Sequence, residues 1–340
     1  MLDIRTKGFF MRVKEHSINQ RNLRYLDSLA LLLGVLCLPM NSYAQANTDT
    51  IKMIVITAAG GAADQAARIV SEKLGPAMNK SIVVENKPGA GGNIASKFVA
   101  SSKPDGYTFL MTSNNHTINP FIYKDAGYST TVDLLPVVQV ARGPTVIAVN
   151  PQSPIQTMKE LVASSLVKPI SYGSIGVGSA AHLVGECLKP VTGAKFEHVP
   201  YKGGAPAVFD AVAGHIPLVM SSLASLGPYI KTGKLRAIAV SSAERWPGYT
   251  DIPTLNELGM GECTYDIWLG IVAPKGTPSA IVQNMNREVS AILKTKETQE
   301  KILGMGYMPV GNTVKEFEDM VQNDINKTSK MIKSMNVQVE

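Results

Sequence analysis

Two hydrophobic rhythms alternate along the chain. Short, largely apolar runs at residues 51–56, 81–85, 107–113, 170–173, 196–199, 218–220 and 236–240 read as strands. Between them the apolar positions recur at helical spacing. After the first run Ala66, Ile69, Val70 and Leu74 share one face, with Asp64 in the first turn. Further helices are predicted over 94–100, 157–165, 180–188, 206–213, 228–231, 278–293, 296–303 and 314–335. Two longer extended segments, 135–150 (broken at Gly143-Pro144) and 264–273, bracket the second set of β and α units. Alternation of this kind predicts an α/β protein with largely parallel sheets. The bracketing predicts an inserted domain, entered and left through two strands. Residues 45–145 and 268–340 would form one lobe and 146–267 the other, with a cleft between them that closes by hinge bending.

Open α/β sheets bind ligands outside the carboxyl ends of their strands. The turn Thr57-Ala58-Ala59-Gly60-Gly61 follows the first strand and leads into the helix that contains Asp64. Glycines there let the backbone approach a ligand closely. The helix start carries free N–H groups and partial positive charge, so an anion fits without Lys or Arg. This turn is predicted to be half of a carboxylate site. The same reasoning selects Ser113, Asn114, Asn115 and His116 after the strand at 107–113. It also selects Ser174, Gly178 and Ser179, then Tyr201, Lys202 and Gly203, then Ser221 and Ser222. The plainer alternative is a set of ordinary β–α turns whose glycines serve packing, with His116 facing solvent.

Composition narrows the class. The 340 residues are 45% hydrophobic and 18% charged, as in a soluble globular protein large enough for two domains. The net charge is +6, without a basic stripe, which argues against nucleic acid as a partner. The N-terminus reads as a signal peptide over 1–44. Arg5, Lys7, Arg12, Lys14, Arg21 and Arg24 precede an apolar core at 29–38, and Ser42-Tyr43-Ala44 supplies the small-residue cleavage pattern. Cleavage is expected after Ala44, with Ala46 as the alternative site and Met11 as an alternative start. Cys37 lies behind Leu36, where a lipoprotein signal wants a small residue. That leaves Cys187 and Cys263, which an exported protein can pair, although nothing in the sequence brings them together; free buried thiols are the expectation.

Catalytic signals fail on context. Gly173-x-x-Gly176-x-Gly178 and Gly89-x-Gly91-Gly92 lack the spacing of a dinucleotide fingerprint, and no phosphate-binding G-x-x-x-x-G-K-[ST] occurs. His182 and Glu186 lie one helical turn apart, but two groups do not make a metal site; a surface pair or a capping role for His182 is expected. Ser165-x-x-Lys168 and Lys231-Thr232-Gly233 mimic penicillin-recognising enzymes in order, but sit at helix ends. No cofactor and no catalysis are predicted. A cleft rich in turns and helix starts reads as a binding cleft.

Several stretches then resemble one family, the solute receptors of tripartite tricarboxylate transporters, also called Bug receptors. They are Gly60-Gly61-Ala62-Ala63-Asp64, Val84-Glu85-Asn86-Lys87-Pro88-Gly89-Ala90-Gly91-Gly92-Asn93 and Pro104-Asp105-Gly106-Tyr107-Thr108. Asn119-Pro120, His198-Val199-Pro200-Tyr201-Lys202-Gly203, Asp251-Ile252-Pro253-Thr254 and Ala273-Pro274-Lys275-Gly276-Thr277-Pro278 complete the set. The resemblance implies a two-lobed type II periplasmic-binding-protein fold: two doubly wound sheets joined by two hinge strands, with the ligand cleft between them. It implies a periplasmic receptor, monomeric, that captures a small carboxylate and delivers it to a membrane transporter with one large and one small subunit. It also implies that the first turn holds the carboxylate through backbone groups and water. The chain departs from the family pattern in three places. Thr57-Ala58-Ala59 stands where Phe-Pro-Pro is usual, Ser221-Ser222 where an acidic residue is common, and Asn114-Asn115-His116 where small residues are common; one or more of these last three side chains would read the distal end of the ligand. A receptor serving a membrane histidine kinase is the alternative function, and an exported enzyme the remote one.

Overall fold

The computed structural model describes residues 50–335. The signal peptide expected over 1–44 lies outside the described residues. Among the described residues, ten strands form two half-sheets that share one long strand. In the first half, β1 (Thr50–Val55) lies between β2 (Ser81–Asn86) and β3 (Thr108–Ser113), all parallel. In the second, β5 (Ile170–Ser174) lies between β6 (Phe196–Pro200) and β7 (Leu218–Ser222), again all parallel. Each trio then meets an antiparallel strand. For β3 this is β9 (Asp266–Pro274), and for β7 it is β4 (Leu134–Val149). Strand β4 pairs with β9 over Leu134 to Pro144, with β7 over Thr145 to Val149 and with β8 (Arg236–Val240) over Val146 to Val149. It therefore runs from one half-sheet into the other. Strand β10 (Met308–Pro309) pairs with β4 at Arg142 and Ala141.

Eleven α-helices join these strands among the described residues. They are α1 (Ala62–Met78), α2 (Asn93–Ala100), α3 (Asn115–Ile122), α4 (Thr130–Asp133), α5 (Met158–Val167), α6 (Ala180–Thr192), α7 (Gly204–Ala213), α8 (Leu223–Lys231), α9 (Ser279–Leu293), α10 (Lys296–Gly304) and α11 (Val314–Met335). None of the described helices is long and apolar enough to cross a membrane. Strand periodicity explains the cores. Along β7, Leu218 and Met220 pack with Tyr172, Leu183 and Val184, while Val219 packs on the other face with Ala207, Val208 and Leu226. Helices cover both faces, as buried parallel strands require. The first half has its own core of Met53, Val55, Phe109, Met111, Ile271 and Phe317. Two elements cross over: Ile118 and Ile122 of α3 and Met331 of α11 join the second half's core.

The structure corrects four expectations. Gly143-Pro144 does not break β4. Gly143 pairs with Ile267 and Pro144 with Asp266, at the point where the strand passes between half-sheets and one missing N–H is tolerated. Residues 115–122 form a helix that their turn-forming composition hides. Helix α8 begins five residues before Pro228, because Ser222 caps it by accepting a hydrogen bond from Ser225 N. Cys187 and Cys263 are disulfide-bonded, with Cα atoms 5.6 Å apart. Cys263 ends a short turn, Gly261–Cys263, that packs on α6 and carries the thiol to its partner.

Candidate functional site

Helix starts from both halves converge on a cavity of about 560 Å³. From the first half come the α1 turn and the start of α3, and from the second the starts of α7 and α8. A strap at Gly304, Met305 and Tyr307 forms another wall. Of the predicted residues, Thr57, Gly60, Gly61, Ser113, Asn115, Gly203 and Ser222 line it. Ala58 and Ala59 are exposed on the same turn without lining it.

The α1 turn is held from behind. Asp64 is buried, and its carboxylate accepts hydrogen bonds from Gly60 N (2.9 Å), Arg68 Nε (3.0 Å) and Asn86 Nδ2 (2.9 Å). Asn86 Nδ2 also donates to Thr57 O at 2.9 Å, which ties the end of β2 to the turn. Burial pushes the Asp64 pKa up, but these donors and the Arg68 charge outweigh it and hold the carboxyl below its usual range. Asp64 therefore fixes the turn from outside the cavity lining. Gly60 has φ +82°, a left-handed conformation that favours glycine. Gly61 is required for space, since a Cβ there would sit 2.7 Å from Thr57 Oγ1.

At the end of β3 the three polar residues diverge. Ser113 Oγ donates to Asn115 Oδ1 at 2.9 Å, and both face the cavity. Asn114 is buried and bridges to β9. Its Nδ2 donates to Asp266 O (3.0 Å), and its Oδ1 accepts from Trp268 N (2.9 Å). His116 is 1% exposed, edge-on to Trp268, with no partner for either ring nitrogen. Burial holds its pKa at about 3. It is neither solvent-facing nor part of the cavity wall.

In the second half most of the loop between β5 and α6 turns inward. Ser174 Oγ lies 2.6 Å from His198 Nε2, and Ser179 caps α6 by accepting from His182 N. Gly178 N donates to His182 Nδ1 at 3.2 Å, which is the capping role expected of His182. His182 and Glu186 are buried and do not form a surface pair. Glu186 accepts from Tyr172 OH and pairs with Lys189. Gly178 packs on Ile122 of the first half, and Ile175 is the residue of this loop that reaches the cavity. Tyr201 is drawn away by donating to Asp210 Oδ2 at 2.6 Å, and Lys202 is exposed. Gly203, with φ +113°, opens α7 toward the cavity. Ser221 is buried beneath the α7 start.

Sequence reasoning missed the wall formed by Ile267, Leu269, Met305 and Tyr307, and the residues Gly204 and Ser225. Tyr307 is buried against Gly143, shares the cavity lining with Ser222 of the other half, and has its pKa pushed up by burial to about 12. A Cβ at Gly306 would come 2.7 Å from Ala224 N, so this strap touches the start of α8. The Gly304-Met305-Gly306 run was the available signal for it. Among the described residues, no Lys, Arg, His, Asp or Glu lines the cavity. What it offers is N–H groups at helix starts, hydroxyls, the amides of Gln65 and Asn115 and one apolar wall, a donor set suited to an anion.

This fold and cleft define a two-lobed solute-binding receptor of the periplasmic-binding type. The sequence model described as tripartite tricarboxylate transporter family receptor matches residues 65–337, and the chain belongs to that family. It is 35% identical over 282 residues to a UPF0065 protein of Bordetella bronchiseptica, covering 82% of this chain and 83% of that one. The structure of the R. palustris protein Rpa4515 with adipate matches with a TM-score of 0.77 at 31% identity, over 85% of this chain and 97% of that one. The periplasmic binding protein BugD matches with a TM-score of 0.74 at 32% identity, over 85% and 98%.

Proposed function

We propose that this chain captures a small carboxylate in the cleft, in the periplasm, and hands it to a membrane transporter of the tripartite tricarboxylate type. It acts as a monomer, without turnover and without a cofactor. The single observation that carries this reading is the convergence of α1, α7 and α8 starts on one uncharged cavity. Family membership and the structure of Rpa4515 with adipate support it. Each helix-start contact contributes only about 0.3–1 kcal/mol when exposed, and micromolar affinity requires roughly 8 kcal/mol. Several starts must therefore act together in a closed, dry cleft. The lobes that close are residues 45–145 with 268–340, and 146–267, moving about β4 and β9.

A thermal-shift series tests this. The protein is unfolded and refolded to strip any ligand carried from the host, then heated with mono-, di- and tricarboxylates. A bound carboxylate at 100 times its Kd adds about 2.7 kcal/mol, a rise of several degrees. No shift with any carboxylate, together with a shift from a neutral solute, contradicts the reading.

A further inference from the structure

Strands β4 and β9 and helix α11 each pass from one half to the other, and all three wall a polar cavity of about 330 Å³ away from the cleft. Strand β4 brings Arg142, and the chain entering β9 brings Tyr265, Asp266 and Trp268. Tyr265 packs in the second half's core and Trp268 in the first's, with Asp266 between them. Helix α11 brings Asp324 and Lys327. Its Phe317 and Val321 pack in the first core and its Met331 in the second, so these two charges also lie at the crossing.

The two carboxylates are served unequally. Asp324 Oδ2 accepts from Thr117 Oγ1 of α3 (2.5 Å), Trp268 Nε1 (3.0 Å) and Tyr265 OH (3.1 Å). Asp266 Oδ2 accepts from Arg142 Nη1 at 3.2 Å, but Asp266 Oδ1 is buried without a partner among the described residues. Lys327 Nζ, the other cation here, donates to Thr264 O. Burial raises the Asp266 pKa to about 6, against Arg142 and Lys327, and the Asp324 charge adds to the rise. Burial keeps Tyr265 and His116, which is edge-on to Trp268, neutral. An ionised carboxylate oxygen buried without a donor is costly. Taking up a proton relieves that cost, and so does a rotation of the halves that admits water. The site also reaches the cleft. Asn114 is bonded to Asp266 O and Trp268 N, and its neighbours Ser113 and Asn115 line the cleft cavity.

We propose that Asp266 is a proton-operated lock on the hinge. Protonated, it holds the halves as they stand here, in contact around the cleft; ionised, it favours an arrangement in which they swing apart and water reaches Oδ1. The lock holds whatever solute the cleft takes. A swung-apart state with an ordinary carboxylate pKa near 3.9 gains about 10-fold over the present one between pH 5.0 and pH 7.5.

Distances between spin labels test the lock without any solute. Lys97→Cys and Lys202→Cys place one exposed label in each half, while the native cysteines stay in their disulfide. Pulsed dipolar measurements on the refolded, solute-free protein are expected to show longer separations gaining population at pH 7.5 relative to pH 5.0. Asp266→Asn, which cannot ionise, keeps the pH 5.0 distribution at both values. Identical distributions at the two pH values with Asp266 intact overturn the proposal, whether or not the Asn variant folds. A shift that survives in Asp266→Asn also overturns it, because the titrating group then lies elsewhere. Either failure leaves the solute-receptor reading standing.

Discussion

Asp64 carries its charge on the far side of the α1 turn from the cavity, spent on Gly60 N, Arg68 and Asn86. Its place in the first turn was readable, but its direction was not, because direction depends on Asn86 and Arg68 arriving from β2 and the next helical turn. The same limit applies at the end of β3. Asn114, Asn115 and His116 look equivalent as a polar run, yet only Asn115 reaches the cavity. The bonds from Asn114 to Asp266 and Trp268 span more than 150 positions of sequence, which no local pattern encodes. His116 gives a test at this scale. Its folded pKa, about 3, lies below the unfolded value near 6.5. The unfolded chain therefore binds the proton first, and stability falls as pH drops through 6.5 toward 3. For this one group the loss at pH 5 is roughly 2 kcal/mol. Asp266 works the other way. Burial, opposed by Arg142, raises its pKa to about 6, so its contribution to stability rises as pH falls from 6 toward 4. The comparison must therefore be made between wild type and His116→Leu, in urea melts at pH 7 and pH 5. The variant is expected to lose roughly 2 kcal/mol less than wild type over that interval. Equal losses would place the titration elsewhere.

Helices and strands were largely legible, because β1, β3, β5 and β7 are short, largely apolar runs and the helices between them keep a periodic apolar face. What escaped was made by partners distant in sequence. β4 stays continuous through Gly143-Pro144 because β9 pairs along that whole stretch. Helix α3 was hidden by Asn114, Asn115, Asn119 and Pro120, residues that favour turns until tertiary packing of Ile118 and Ile122 decides otherwise. The disulfide was illegible because the irregular chain before Cys263 gives no clue to where it returns. Closing a loop of 76 residues restricts the unfolded chain, so the bond between α6 and the 263 turn stabilises the second half by about 2–5 kcal/mol. Reduction is expected to lower the melting temperature by several degrees. Cys187→Ala with Cys263→Ala should reproduce that drop in the absence of reductant. An unchanged melting temperature in both cases would mean the bond constrains nothing that unfolding releases.

The whole molecule repeats one unit: a parallel trio, then an antiparallel strand, with β4 shared between the halves. That repetition places the helix starts of α1 and α7, from opposite halves, on one cavity. Contacts between the halves surround it, at Tyr307 with Ser222, Gly306 with Ala224 and Gly178 with Ile122. Other hollows exist among the described residues. One of about 430 Å³ lies beside Tyr123 and Tyr128, and one of about 330 Å³ lies where Asp266 and Trp268 face away from the cleft. Neither is walled by helix starts from both halves. The most direct measurement is a crystal structure of the refolded protein with the tightest-binding carboxylate. The account predicts a carboxylate at Thr57 and Gly61, walled on its other side by Gly203, Gly204 and Ser225. A ligand seated in either of the other hollows, with the cleft holding only solvent, would contradict it.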